Sequence, residues 1–198
     1  MDCYLLVGGQ SKRMGRSKLH LPFGESDFLA RILDAGREAF DDVLAVQRPG
    51  GDAVAGVRTL YESPHEQDGP VFGVLRALQH ATGKCFALAI DYPLITAAIL
   101  IDLRSTFEAA EEPMLVPFWR GRAQLLCAGY SPLMAPLIER RILAGRRDLR
   151  GLIDEGPARI VAEEELRRRH GGEPLMNVNT LEELEEAERY ERQRLFAP

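Results

Sequence analysis

Near the start of the chain, Gly8-Gly9-Gln10-Ser11-Lys12-Arg13-Met14-Gly15-Arg16-Ser17-Lys18 gathers paired glycines, two hydroxyls and four cations into one short stretch. It follows directly on the apolar run Cys3–Val7. Glycines let backbone N–H groups close on a phosphate, Arg13 offers a guanidinium fork for phosphate oxygens, and Lys18 adds a point charge. This is the chemistry of a grip on a nucleoside triphosphate. The bland alternative is a surface turn with solvated cations, but strand, glycines, Arg13 and Lys18 in one register favour the grip. The spacing matches neither the G-x-x-x-x-G-K-[ST] loop nor the G-x-G-x-x-G fingerprint.

A second chemical residue is Asp91, placed just after the apolar run Phe86–Ile90. A buried strand there delivers its carboxylate to the same sheet edge as Gly8. Such a carboxylate repels a triphosphate unless a cation lies between them, and Mg²⁺ held by a carboxylate and phosphate oxygens resolves the conflict. The competing role is a turn cap ahead of Pro93. Asn177 and Asn179 flank Val178 in strand-like alternation, so two amides could face one side and hydrogen-bond a ligand, or simply lead into the next helix. Gln124 and Tyr130, read as lying on one strand, are expected to be packing or substrate-facing.

Positioning these residues requires a sheet with crossovers. Short apolar runs at Cys3–Val7, Val43–Val46, Val57–Tyr61 and Phe86–Ile90 read as strands. They alternate with helical patterns over Ser26–Phe40, Pro70–Ala81 and Thr96–Phe107, Thr96 being the expected cap of the last. Met114–Phe118 and Gln124–Tyr130 are expected to form an antiparallel pair. Helices over Ser131–Leu143 and Arg147–Asp154 and a weak strand over Ala158–Ala162 follow. Thr180 and Glu183 form a capping box for the last helix. The expectation is an α/β fold of three layers with a mixed, mainly parallel sheet. Residues 1–198 are expected to form one domain.

The chain has 198 residues, 45% of them hydrophobic and 28% charged, with a formal net charge of -5. That balance suits a globular domain and argues against broad nucleic-acid binding, which needs a basic face. Basic clusters at Lys12–Lys18, Arg140–Arg150 and Arg167–Arg169 remain candidates for a small polyanion. The three cysteines, Cys3, Cys85 and Cys127, lie far apart in apolar runs and read as reduced, buried thiols. No apolar run is long enough to span a bilayer, and no signal peptide precedes the first strand, so a cytoplasmic location is expected.

The stretch from Leu6 to Lys18 resembles the signature L-A-G-G-x-S-x-R-M-G-x-x-K of the molybdenum cofactor guanylyltransferases, the molybdopterin-guanine dinucleotide biosynthesis protein A family, with Val7 in place of Ala. Three more segments resemble that family in order and spacing: Asp68-Gly69-Pro70-Val71-Phe72-Gly73, Ala89-Ile90-Asp91-Tyr92-Pro93, and Asn177-Val178-Asn179-Thr180-Leu181-Glu182-Glu183-Leu184. The last match favours the molybdopterin-guanine branch over sugar-phosphate and cytidyl relatives. Leu181 replaces the customary Pro, and Glu62 stands where close relatives often carry Asp against the nucleotide. Val46, Gln47 and Arg48 occupy the stretch where relatives reach the base or ribose.

The resemblance implies a Rossmann-like fold of the nucleotide-diphospho-sugar-transferase type. It implies a nucleotide site of Leu6, Val7, Gly8, Gly9, Ser11, Arg13, Lys18, Glu62 and Asp91, and a substrate site of Gly69, Pro70, Gly73, Asn177 and Asn179. Arg13, Lys18 and Asp91 would be catalytic, with Asp91 the Mg²⁺ ligand. The expected reaction moves GMP from GTP to molybdopterin and releases pyrophosphate. Expected partners are GTP, molybdopterin, and molybdoenzymes or cofactor-handling proteins, with no nucleic acid and no membrane. The rival readings are a molybdopterin cytidylyltransferase or another nucleotidyltransferase of this fold, and a nucleotide-binding protein without catalysis.

Overall fold

The computed structural model describes residues 1–7, 20–51, 54–63 and 69–195. Four strands carry the parallel half of the sheet: β1 (Cys3–Leu6), β4 (Val43–Gln47), β5 (Arg58–Tyr61) and β6 (Cys85–Ala89). β1 sits between β4 and β6, parallel to both, with Leu6 beside Val46 and Ala89. β5 lies outside β4. The rest of the sheet is β7 (Met114–Trp119), β8 (Arg122–Ala123), β9 (Cys127–Tyr130) and β10 (Arg159–Val161). β9 runs antiparallel to both β6 and β7, and β10 pairs in parallel with β7. The order is β10-β7-β9-β6-β1-β4-β5, with β8 folding back on β7.

Alternation along the strands builds two cores. Cys3, Leu5, Val43, Ala45, Phe86 and Leu88 face α1 (Phe28–Ala39), α3 (Ala97–Ala109) and Leu166 of α6 (Glu163–His170). Tyr4, Leu6, Leu44, Val46, Cys85 and Ala87 face α2 (Pro70–His80), α4 (Ala135–Leu143) and α5 (Gly151–Glu155). Because side chains alternate with period two, near-continuous apolar strands must be covered on both faces, and three layers result. A third cluster joins Phe23, Phe28, Leu94, Met176, Val178 and Ala187, seating α7 (Leu181–Leu195) beside α1.

The expected elements are largely present, with four corrections. The first helix starts at Phe28, because Ser26–Asp27 (β3) pairs antiparallel with Pro22–Phe23 (β2) and Asp27 caps the helix through Ala30 N–H. Thr96 precedes α3 without a side-chain capping bond. Gln124 is not on a strand with Tyr130: the chain leaves the sheet after Ala123 and returns at Cys127. Helix α6 is an addition to the expected elements, since Leu166 is its one buried residue and no apolar period marks it. Its three leading glutamates and trailing Arg167, Arg168, Arg169 and His170 suit the helix dipole instead.

All three cysteines are free and buried. Burial pushes their thiols up, Cys85 to about 12, which leaves them inert. No helix among the described residues is long and apolar enough to cross a membrane.

Candidate functional site

The carboxyl ends of the parallel strands form one edge, where open α/β sheets place their ligands. Gln47 ends β4 at that edge, and Val7, Glu62 and Asp91 follow β1, β5 and β6 to it. Of the residues singled out in the sequence, Gly8, Gly9, Ser11, Arg13 and Lys18 lie outside the described residues, as does Asp68. Leu6 and Val7 are buried, and Val7 N–H donates to Val46 O at 2.9 Å. Their side chains belong to the core.

On the β4–β5 side, Glu62 is buried, with its N–H donating to Gln47 O at 2.9 Å. Two features make the buried carboxylate tolerable. Arg48 Nε lies 3.6 Å from Glu62 Oε2, and Oε1 sits against the first turn of α2, the positive end of that helix. Gly69 precedes α2 at φ 152°, backbone that favours glycine, and Pro70 occupies the first turn, where its missing N–H costs nothing. Gly73 permits the close approach: a β-carbon there would lie 3.1 Å from Glu62 Oε1 and 3.2 Å from Leu6 Cδ2.

Within Val46–Arg48, the tertiary structure singles out Gln47. It is 2% exposed, and its Nε2 has no hydrogen-bond partner among the described residues. A buried amide donor without an acceptor costs about 1–3 kcal/mol. The strand pattern alone could not separate it from its neighbours.

On the β6 side, the turn after the strand is held at each residue. Asp91 O accepts from Val178 N–H at 2.9 Å. Tyr92 is 1% exposed and its hydroxyl donates to Gln124 Oε1 at 3.2 Å. Burial pushes the Tyr92 phenol well up. Pro93 O accepts from Arg31 Nε at 3.1 Å, and the same guanidinium pairs with Glu191 of α7 at 2.7 Å. A turn fixed this way holds Asp91 in one place.

The structure brings Asn177 and Val178 onto that turn, without pairing them into a sheet. Asn179 opens α7 instead: Glu183 Oε2 accepts from the N–H groups of Asn179 and Thr180, and Thr180 Oγ1 accepts from Glu183 N–H. This is the capping box, with one extra donor. The approach of the segment is set by Glu173, whose carboxylate accepts from Trp119 Nε1 at 3.2 Å, Arg120 Nε at 2.9 Å and Arg167 at 3.2 Å. Arg167 also stacks over the Trp119 ring at 4.4 Å. Nothing in the local sequence around Glu173 announces this role.

Glu62 and Asp91 stand at different points along that edge. Three strand spacings separate β5 from β6, roughly 14 Å. Among the described residues, no three His, Cys, Asp or Glu side chains come together as a metal cage. A carboxylate at the edge suits a hard cation that takes its remaining ligands from phosphates and water. Five arginines of the later basic clusters are committed elsewhere. Arg140, Arg141 and Arg146 pair with Glu155, Arg141 also with Asp148, and Arg167 and Arg169 with Glu163, Glu165, Glu173 and Asp102.

A model of the MobA-like NTP transferase domain matches residues 3–192. The chain belongs to this family. Among MobA-like relatives, a protein of Mycobacterium avium (strain 104), named probable molybdenum cofactor guanylyltransferase, is 28% identical over 182 residues, 89% of each chain. The crystal structure of molybdopterin-guanine dinucleotide biosynthesis protein A from Archaeoglobus fulgidus superposes with a TM-score of 0.85 at 25% identity, covering 98% of this chain and 100% of that one. The 2-C-methyl-D-erythritol 4-phosphate cytidylyltransferase of Thermus thermophilus shares the fold alone, at a TM-score of 0.68 and 16% identity over 96% of this chain and 98% of that one. The MobA-like chain therefore has the nucleotide-diphospho-sugar-transferase fold and is a member of a nucleotidyltransferase family.

Proposed function

We propose that this protein transfers GMP from GTP to molybdopterin, forming molybdopterin-guanine dinucleotide and pyrophosphate. The observation that carries the reading is the docking of Asn177–Val178 on the Asp91 turn through Val178 N–H and Asp91 O, 2.9 Å apart. It joins the segment that resembles the acceptor-binding motif to the carboxylate at the end of β6. The mycobacterial and archaeal relatives support the same acceptor.

In this reading a phosphate oxygen of molybdopterin attacks the α-phosphorus of GTP. A new P–O bond forms, the bond from the α-phosphorus to the bridging oxygen breaks, and pyrophosphate leaves. The attacking oxygen is already an anion, so no side chain has to remove a proton. Arg13 and Lys18 neutralise the triphosphate while Gly8, Gly9 and Ser11 bind it through the loop. Gln47 and Glu62 lie on the base and ribose side, Gly69, Pro70 and Gly73 shape the start of α2, and Asn177 and Asn179 orient the acceptor. Asp91 would hold Mg²⁺, which supplies charge neutralisation between carboxylate and phosphates.

The test is pyrophosphate release with molybdopterin and GTP, CTP or ATP in turn. Preference for GTP is the expected result, because a polar pocket rejects a base that leaves its buried groups unpaired. Equal turnover with CTP assigns the protein to the cytidylyl group, and no release with any nucleotide makes it a nucleotide-binding protein without catalysis.

A further inference from the structure

Three segments that border the candidate site meet at one arginine near the start of α1. Arg31 Nε–H donates to Pro93 O at 3.1 Å, in the turn that follows β6. Its Nη2 donates to Glu191 Oε1 of α7 at 2.7 Å. Its guanidinium carbon lies over the Phe23 ring, 5.0 Å from the centroid, in the β2–β3 hairpin that follows the glycine-rich stretch. The same segments also meet in the third apolar cluster, through Phe23, Leu94 and Ala187, with Val178 among them. These contacts suit a guanidinium in particular. A planar fork donates in two directions while its face covers a ring, whereas a lysine ammonium is a single point of charge. Glu191 is 4% exposed, so its carboxylate needs this partner.

We propose that Arg31 is a positioning residue for the metal carboxylate: by holding Pro93 O, it fixes the Asp91 turn against α7 and the β2–β3 hairpin. The proposal rests on the reading of Asp91 as the ligand of the divalent cation. Tyr92, Pro93, Leu94 and Ile95 are buried and Asp91 is half-buried, so a tie on this backbone carries to the one carboxylate of the turn. Mg²⁺ demands near-ideal octahedral geometry, which penalises a ligand that drifts. A misplacement of about 1 Å near a reacting centre costs on the order of 100-fold in rate. The tie from Val178 N–H to Asp91 O is separate and does not involve Arg31.

Arg31→Lys keeps a cation beside Glu191 and gives up the bond to Pro93. Ile95 N–H closes the turn on Tyr92 O at 3.1 Å. Its hydrogen exchange, read by NMR, speeds up about fivefold in Arg31→Lys, the loss of one hydrogen bond, while the Val178 amide keeps its protection. Mn²⁺ serves as a paramagnetic probe of the metal position. Its affinity for the protein–GTP complex, read by electron paramagnetic resonance, falls about fivefold, while calorimetric GTP binding without metal is unchanged. A general structural defect would weaken metal and nucleotide together and release the Val178 amide. Asp91→Asn removes the carboxylate that Arg31 positions, so adding Arg31→Lys to it costs no further Mn²⁺ affinity.

Unchanged Ile95 exchange in Arg31→Lys overturns the proposal, and so does an unchanged Mn²⁺ affinity or an equal loss of metal and GTP binding. If Arg31→Lys does not fold, Arg31→Gln together with Glu191→Gln removes both charges of the pair and decides by the same readouts. Should Asp91→Asn bind Mn²⁺ as tightly as the wild type, the reading of Asp91 as the metal ligand fails. Ile95 exchange then decides alone whether Arg31 holds the turn.

Discussion

Replacing Gly73 by Ala tests whether the buried Glu62 carboxylate belongs to the nucleotide site. Gly73 is the fourth residue of α2, and alanine there gains about 1 kcal/mol in helix propensity and about 0.8 kcal/mol from a newly buried methyl group. Against this, the methyl carbon would lie 3.1 Å from Glu62 Oε1 and 3.2 Å from Leu6 Cδ2, a few tenths of an ångström inside ordinary contact. Leu6 is anchored in β1 between two parallel neighbours, so the end of the Glu62 side chain is the part that moves. Such overpacking costs about 1–3 kcal/mol. The terms nearly cancel, and stability should stay within about 1 kcal/mol of wild type, a Tm change of about 2–4 °C for a chain of this size. Nucleotide binding has no such compensation. Displacing the carboxylate should weaken GTP affinity by about 1 kcal/mol, roughly fivefold. Thermal melting and calorimetric GTP binding read the two effects separately. Unchanged GTP affinity would refute a nucleotide role for Glu62. A Tm drop above about 10 °C would show that the β1–α2 contact yields, not the side chain.

Asp91→Asn keeps the backbone tie to Val178 and should leave the fold intact by circular dichroism. It should cost about 2 kcal/mol in Mg²⁺ affinity, read from pyrophosphate release against Mg²⁺ concentration, and matching curves would move the metal site elsewhere. Glu173→Gln leaves one acceptor oxygen for three donor side chains. It should cost about 2 kcal/mol and lower Tm by about 4–8 °C, and a Tm within a degree of wild type would show that this cluster stabilises nothing. Burial alone pushes the Asp102 carboxyl up, but hydrogen bonds from His170 and Arg169 outweigh it and hold the group below the usual carboxylate range. A depressed acid stabilises the fold above its unfolded value, near 4, and that contribution is lost as pH falls through the folded value. Urea unfolding of Asp102→Asn should therefore show lower stability at pH 7 and a flatter loss below about pH 4, and a parallel acid limb in both proteins would contradict this.

What the sequence alone determined about this protein is what local chemistry decides. Continuous apolar runs at Cys3–Val7 and Phe86–Ile90, each short and ending in turn residues, read as strands covered on both faces, so the central strands and the position of Asp91 were readable. Pro70 behind Gly69 and the Thr180–Glu183 box marked helix starts, because the first-turn N–H groups must find acceptors nearby. The family signature was legible for a related reason: its glycines and cations are adjacent along the chain, so the match needs no tertiary structure. Partner choice across the fold was not legible. The helix of Glu163–His170 has almost no apolar face, and its Arg167 is placed by Trp119 and Glu173, contacts made only once β7 and the 173–180 segment meet. Gln124 looked like a strand residue, because an apolar stretch runs on to Tyr130. Only the carbonyls of Trp119 and Arg122, together with the Tyr92 hydroxyl, turn it inward. The same holds for Gln47 among Val46–Arg48, and for Arg140, Arg141 and Arg146, which pair with Glu155 and Asp148 of their own neighbourhood. Hydrogen bonds between side chains far apart in sequence depend on where whole elements stop and how they pack, and that geometry exists only in the folded chain.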